Sequence, residues 1–272
     1  MSLPMFSPAE QPAPSFVDLL RKLGHDPFAH PGADRLAPVS SHAPAFEVTH
    51  GTTIVALRFA DGVVMAGDRR ATAGSSIAHR AMEKVKPADR HSGVAFAGAA
   101  GPAMEMVKLF QLQLEHYEKV EGSPLSLEGK ANQLSQMVRS NLAMALQGFV
   151  VVPLFAGYDL RRRTGRIYSY DPTGGRYEET DYHADGSGGR DARTTVKLGW
   201  RADLSRSEAI ELAVKALWHA ADEDSATGGP DALRGIYPTV ATITEEGFEA
   251  VPETEVAERF AAVVAGLGGV GS

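Results

Sequence analysis

Proline is unevenly distributed in this chain, and that distribution decides where regular structure can exist. Of the 16 prolines in 272 residues, eight fall within residues 1–51, together with four of the nine histidines. Proline fixes φ and removes a backbone donor, so a segment this rich in it sustains neither a long helix nor a central strand. Residues 1–51 therefore read as an appended, largely irregular segment with one short amphipathic piece, Phe16–Leu23. Such a segment is either a tail or a pro-segment removed on maturation. Residues 52–265 carry the patterns of a folded domain, and 266–272 read as a flexible C-terminal tail.

Regular structure begins at Thr52. Thr53–Phe59 and Val63–Gly67 are apolar runs around Asp61-Gly62, a hairpin signal. Gly93–Ala97 predicts a third strand. Pro102 suits a first helical position, and Ala103, Val107, Phe110, Leu114 and Tyr117 recur at helical spacing up to the break at Gly122-Ser123-Pro124. Ser126 suits the N-cap of a second helix carrying Leu127, Ala131, Leu134, Val138, Leu142 and Ala145 on one face. Strands are expected at Pro153–Tyr158, Gly165–Tyr170 and Thr239–Thr244. Helices are expected after the Ser205/Glu208 capping pair and over Glu253–Ala265. Runs of strands alternating with runs of helices argue for a layered α+β domain rather than a doubly wound parallel sheet.

Composition removes several functions. The formal charge of −7 is wrong for a nucleic-acid binder, which carries a basic surplus. The absence of cysteine removes disulfides, thiolate metal sites and a cysteine nucleophile, and suits a reducing, cytoplasmic setting. No apolar run approaches the ~18 residues of a membrane helix, and the N-terminus lacks the pattern of a secretory signal. The histidines have no zinc-ligand spacing, and no cofactor is expected. Gly266–Gly271 matches the dinucleotide fingerprint letter for letter, but no strand precedes it and no helix follows, so it is read as tail. Arg161-Arg162-Arg163 reads as a solvated turn.

The chemistry gathers at Gly51-Thr52. If the chain is cut between them, Thr52 carries a hydroxyl and a free α-amine, whose ordinary pKa of about 7.7–8.0 leaves it able to act as a base near neutrality. Nucleophile and base then reside on one residue. A cation nearby would keep the amine neutral and favour negative charge on the oxygen. Lys84 is the candidate, with Asp68 to hold it. Taken singly, these two residues read equally well as a surface ion pair.

These elements resemble the β-type subunits of the proteasome core particle, in particular the actinobacterial type. The resemblance rests on Gly51-Thr52-Thr53-Ile54-Val55, Ala66-Gly67-Asp68-Arg69-Arg70-Ala71-Thr72, Lys84, Ala97-Gly98 and Glu115–Lys119. It continues through Ala156–Asp159, Gly186-Ser187-Gly188 and Asp224–Asp231. It implies a four-layer αββα sandwich of two antiparallel sheets flanked by helices, the N-terminal-nucleophile hydrolase fold. By motif, Thr52 is similar to the nucleophile, Asp68 and Lys84 to its charge pair, and Ser187, Asp224 and Thr227 to the residues that order the amine. Thr227 stands where serine is more usual. Gly98 resembles the source of the oxyanion-hole amide. Thr72 matches the position whose backbone pairs with an extended substrate. Ala71, Phe96 and Ala100 match walls of the specificity pocket, and Gly51–Thr52 the autocleavage site.

The resemblance implies an endopeptidase acting on unfolded, modifier-tagged proteins without metal or organic cofactor. The implied partners are a homo-heptameric β ring stacked on a second β ring, α-type subunits and an ATP-dependent unfoldase ring. Three alternatives stay open. Gly186–Gly189 resembles the simpler bacterial two-ring threonine protease; some ring subunits of this family are catalytically silent; and amidases on small substrates share the fold.

Overall fold

A computed structural model describes residues 51–73 and 76–268. The expected Phe16–Leu23 helix and residues 269–272 lie outside the described residues. The strands are β1 (Thr53–Phe59), β2 (Gly62–Gly67), β3 (Ala71–Ala73), β4 (Ser76–His79), β5 (Val85–Asp89), β6 (Ser92–Gly98), β7 (Val151–Asp159), β8 (Thr164–Tyr170), β9 (Arg176–Glu179), β10 (Tyr182–Gly186), β11 (Thr239–Thr244) and β12 (Gly247–Ala250). The helices are α1 (Ala100–Glu121), α2 (Leu127–Ser140), α3 (Leu142–Ala145), α4 (Gly189–Gly199), α5 (Arg206–Glu223) and α6 (Glu253–Gly268).

Two five-stranded antiparallel sheets form the centre, ordered β10-β1-β2-β11-β12 and β5-β6-β7-β8-β9, with β3-β4 as a separate pair. Strand side chains alternate between faces. On β1, Ile54 and Ala56 join Val85, Ala95, Leu154 and Ile167 between the sheets. Val55 and Leu57 point the other way, against Ile210, Val214 and Leu217 of α5. The second sheet repeats this: Ala95 faces inward, while Val94 and Phe96 pack with Phe110 and Leu134 of α1 and α2. Each central strand is thus buried on both faces, so its sequence is apolar throughout rather than alternating. The expected αββα sandwich is the observed architecture.

Several local expectations need correction. The β1–β2 hairpin turns on Ala60-Asp61, because Gly62 already pairs with Phe59. Helix α1 starts at Ala100, so Pro102 sits within the first turn, where backbone N–H groups lack intrahelical partners anyway. Its Tyr117 is 38% exposed rather than core. Leu114 is its last buried position, and residues 115–121 at its end are all exposed. Ser126 does cap α2, but the helix stops at Ser140, because Asn141 closes it with bonds back to Met137 and Val138. Leu142 and Ala145 fall in a separate turn and are only half-buried. The Ser205/Glu208 capping box is present, and the last helix runs to Gly268 instead of ending at Ala265.

Candidate active site

The site lies at one end of the sandwich, where β1 and β2 of one sheet approach β5 and β6 of the other. Thr52 immediately precedes β1 and is almost fully buried. Its carbonyl accepts the Ser187 N–H at 2.9 Å, which ties it to the end of β10. Asp68 follows β2 and Lys84 precedes β5, so the two side chains come from opposing sheets. They meet at 2.6 Å with 0% and 1% side-chain exposure. The surface ion pair considered from sequence is therefore excluded.

Asp68 is saturated with donors. One oxygen accepts Lys84 Nζ (2.6 Å) and the Thr53 N–H (2.8 Å); the other accepts the N–H groups of Arg70 and Gly228, each at 2.9 Å. Lys84 Nζ also donates to the Arg70 carbonyl at 2.6 Å and to the Gly51 carbonyl at 3.4 Å. Burial pulls the lysine pKa below its ordinary value, and the Asp68 carboxylate opposes that pull. The Thr52 hydroxyl donates to the same Gly51 carbonyl at 2.7 Å. Two donors, Thr52 Oγ1 and Lys84 Nζ, thus share one oxygen of the Gly51–Thr52 bond.

Gly51 is required by close approach rather than by an unusual φ. A Cβ there would lie 2.1 Å from the Ala226 Cβ and 2.4 Å from the Ala226 carbonyl oxygen. Its N–H donates to Thr72 Oγ1 at 3.1 Å. The loop carrying Ala226 is held by Arg70, whose guanidinium donates to the Ser225 carbonyl at 2.8 Å.

On the other side of Thr52, its N–H donates to Ser187 Oγ at 3.3 Å. Asp224, which ends α5, accepts from Ser187 Oγ at 2.5 Å and Thr227 Oγ1 at 2.6 Å. The threonine methyl at 227 therefore does not displace the hydroxyl. Burial would raise the Asp224 pKa, but the bonds from Ser187, Thr227 and the Ala226 N–H outweigh it and hold the carboxyl below the usual aspartate range. A depressed folded pKa contributes stability that is present above the unfolded value of about 3.9 and lost as pH falls through the folded one. Thermal unfolding of wild type between about pH 6 and about pH 2 is thus expected to lose Tm more steeply than Asp224→Asn at the acid end. Parallel curves would contradict this.

Gly98 ends β6 with φ +102, and a Cβ there would lie 2.1 Å from the Val150 carbonyl oxygen. That carbonyl also accepts the Ala99 N–H at 2.8 Å. The chain is thus turned sharply between β6 and α1 beside Thr52. Thr52, Gly98, Ala71, Thr72, Phe96 and Ala100 all line one cleft of about 350 Å³. Met82, His79 and Phe149 line it too, and sequence reasoning missed them. Met82 and His79 lie in the segment joining β3 to Lys84, and Phe149 lies after a helix, with no motif at either place. Thr53 and the Arg70 carbonyl were likewise missed. Every expected site residue is brought into this region. Among the described residues no cluster of His, Asp and Glu is arranged to hold a metal ion, and no helix is long and apolar enough to cross a membrane.

The arrangement offers a buried hydroxyl, a cation that shares one carbonyl oxygen with it and an open apolar cleft, which suits attack on a carbonyl of an extended chain. Comparison with known proteins gives the family. A family model described as "Proteasome subunit" matches residues 48–233. A protein named proteasome subunit beta from Acidimicrobium ferrooxidans is 58% identical over 259 residues, covering 95% of this chain and 92% of the relative. One of the same name from Streptomyces griseus is 58% identical over 244 residues, covering 90% and 85%. Another from Jonesia denitrificans is 52% identical over 246 residues, covering 90% and 80%. With the sandwich, the Gly51–Thr52 junction and these similarities together, the chain belongs to the proteasome subunit family, among its β-type subunits.

Proposed function

We propose that this β subunit is a threonine-type endopeptidase that releases its own residues 1–51 and then hydrolyses unfolded polypeptides with Thr52. The observation that carries the proposal is the convergence of Thr52 Oγ1 and Lys84 Nζ on the Gly51 carbonyl oxygen, at 2.7 and 3.4 Å.

In self-cleavage, Thr52 Oγ attacks the Gly51 carbonyl carbon and its proton passes to water. The C–N bond to Thr52 breaks, and the nitrogen takes up a proton to become the α-amine. The resulting ester is hydrolysed by water, leaving a Gly51 carboxylate and a free Thr52. Losing Gly51 removes one of the Lys84 ammonium's three acceptors and turns that N–H toward the Thr52 oxygen. The free amine then takes the hydroxyl proton as Thr52 attacks a substrate carbonyl. The leaving amine receives the proton, and water hydrolyses the acyl-Thr52 ester. The Gly98 amide supplies the oxyanion donor, and Ala71, Phe96 and Ala100 favour apolar side chains in the cleft. Asp68 holds Lys84, while Ser187, Asp224 and Thr227 order the amine.

The assembly that suits this chemistry is a heptameric β ring stacked on a second, with α-type subunits outside it. An ATP-dependent unfoldase would feed it tagged, unfolded proteins. Co-expression with α-type subunits tests the reading. The particles are expected to degrade a denatured protein, and a particle that hydrolyses only small amides would overturn it. Gly51→Val is expected to slow processing severalfold or more, read as the rate at which the precursor band disappears, because its side chain would be driven into Ala226. Ala226→Gly should not restore the rate, since the Ala226 carbonyl oxygen would still lie 2.4 Å from the new Cβ. Normal processing of Gly51→Val would count against the geometry.

A further inference from the structure

We propose that Thr53, the residue after the nucleophile, is a positioning residue that anchors the far end of the hydrogen-bond chain reaching the Thr52 nitrogen. The proposal rests on the reading of Thr52 above. Thr53 is 0% exposed, and its Oγ1 lies 2.6 Å from Thr227 Oγ1. The chain of contacts continues from Thr227 Oγ1 to Asp224 Oδ2 (2.6 Å), to Ser187 Oγ (2.5 Å) and to the Thr52 nitrogen (3.3 Å).

Proton counting fixes the direction of every link. A hydroxyl has one proton to give, and an ionised carboxylate has none. Asp224 takes the proton of Thr227 and that of Ser187. Thr227 then has none for Thr53, so Thr53 is the donor between them. The Thr53 oxygen is filled from behind by the Gly188 N–H at 3.0 Å. A Cβ on Gly188 would sit 2.6 Å from that oxygen, so a side chain there would collide with the hydroxyl. Ser187, its proton given to Asp224, accepts from the Thr52 N–H. The consequence reaches the chemistry: once Thr52 is a free amine, Ser187 binds one of its N–H groups and leaves the lone pair for the hydroxyl proton. With Thr53 silent, Thr227 loses the donor that fixes its rotor, and the orientation of Asp224 and Ser187 loosens.

Thr53→Val keeps the shape and removes the hydroxyl. In assembled, processed particles it is expected to lower kcat for a small peptide about tenfold with KM unchanged. The bond that Ser187 accepts favours the ammonium, so loosening it lowers the amine pKa and moves the acid limb of the kcat/KM profile to lower pH. Thr53→Ser is expected to restore both, and Thr53→Val/Thr227→Val to be no slower than Thr227→Val alone. Wild-type kcat and acid limb in Thr53→Val would overturn the proposal, as would a Thr53→Ser as slow as the valine. If Thr53→Val does not assemble, Thr227→Val carries the test, and an unmoved acid limb there would overturn it. Loss of activity in Thr52→Ala tests the underlying reading separately.

Discussion

Thr52→Ala is expected to reduce peptide hydrolysis in assembled particles by at least ~1,000-fold, to the background of the assay. The expectation follows from the convergence of functions on one residue. Its Oγ1 is the hydroxyl that faces the Gly51 carbonyl, and its nitrogen is the atom that reaches Ser187. On the proposed mechanism, removing the hydroxyl removes the nucleophile and also the means of exposing the amine, so no partial route remains. The fold should hold, because alanine deletes a small side chain whose one donated bond goes to a neighbouring backbone carbonyl. Thr52→Ser keeps the hydroxyl and should retain both processing and part of the hydrolysis. Hydrolysis by Thr52→Ala within tenfold of wild type would contradict the assignment.

Lys84→Ala is the second large effect, and it should appear in stability as well as rate. From sequence alone, the substitution would be expected to spare the fold. The geometry changes that expectation. Lys84 and Asp68 are both buried, and the substitution leaves the carboxylate without its counter-charge. Removing one partner of such a pair typically costs about 3–5 kcal/mol, because the remaining charge is left uncompensated. Three amide N–H groups still face Asp68, from Thr53, Arg70 and Gly228, which puts the expected cost at the lower end of that range. Peptide hydrolysis should be abolished, since the cation that shares the Gly51 carbonyl oxygen with the Thr52 hydroxyl is lost. Asp68→Asn should cost less activity than Thr52→Ala, as it removes an orienting group rather than the nucleophile. Thermal unfolding and a single-turnover assay on the same preparation check both parts. Correctly assembled Lys84→Ala particles with near-normal kcat would exclude the role.

The sequence made the central layers legible because they are buried on both sides. Thr53–Phe59 was expected as a strand and is one, Pro153–Tyr158 was expected and the strand extends it to Val151–Asp159, and the helices that cover them carry a clear apolar stripe. The short strands were not legible. β4 is exposed at every position, and β9 (Arg176–Glu179) is largely polar, so neither carries a burial pattern to read. Helix α4 was hidden by its own start: Gly188-Gly189 reads as a loop, yet it opens a helix that buries only Gly189, Ala192 and Val196.

The site divided along similar lines. Thr52, Asp68 and Lys84 stand in short motifs near one another in sequence, and a family resemblance could be read from them. Their burial could not, because it arises from two sheets that pack face to face. Thr53 was read only as the start of a strand. Its hydroxyl acquires a role through Gly188 and Thr227, the latter 174 residues away. At Gly51 the contact that excludes a side chain is Ala226, far along the chain. Contacts of this range leave no local signature.

The most direct test of the account is the N-terminus of the chain in purified particles, read by intact mass together with N-terminal sequencing. Active wild-type particles are predicted to contain a chain beginning at Thr52, and Thr52→Ala particles, without active neighbours, a chain that retains the preceding segment. A Thr52→Ala chain that nevertheless matures to position 52, or a wild-type particle that hydrolyses peptides with residues 1–51 still attached, would contradict it.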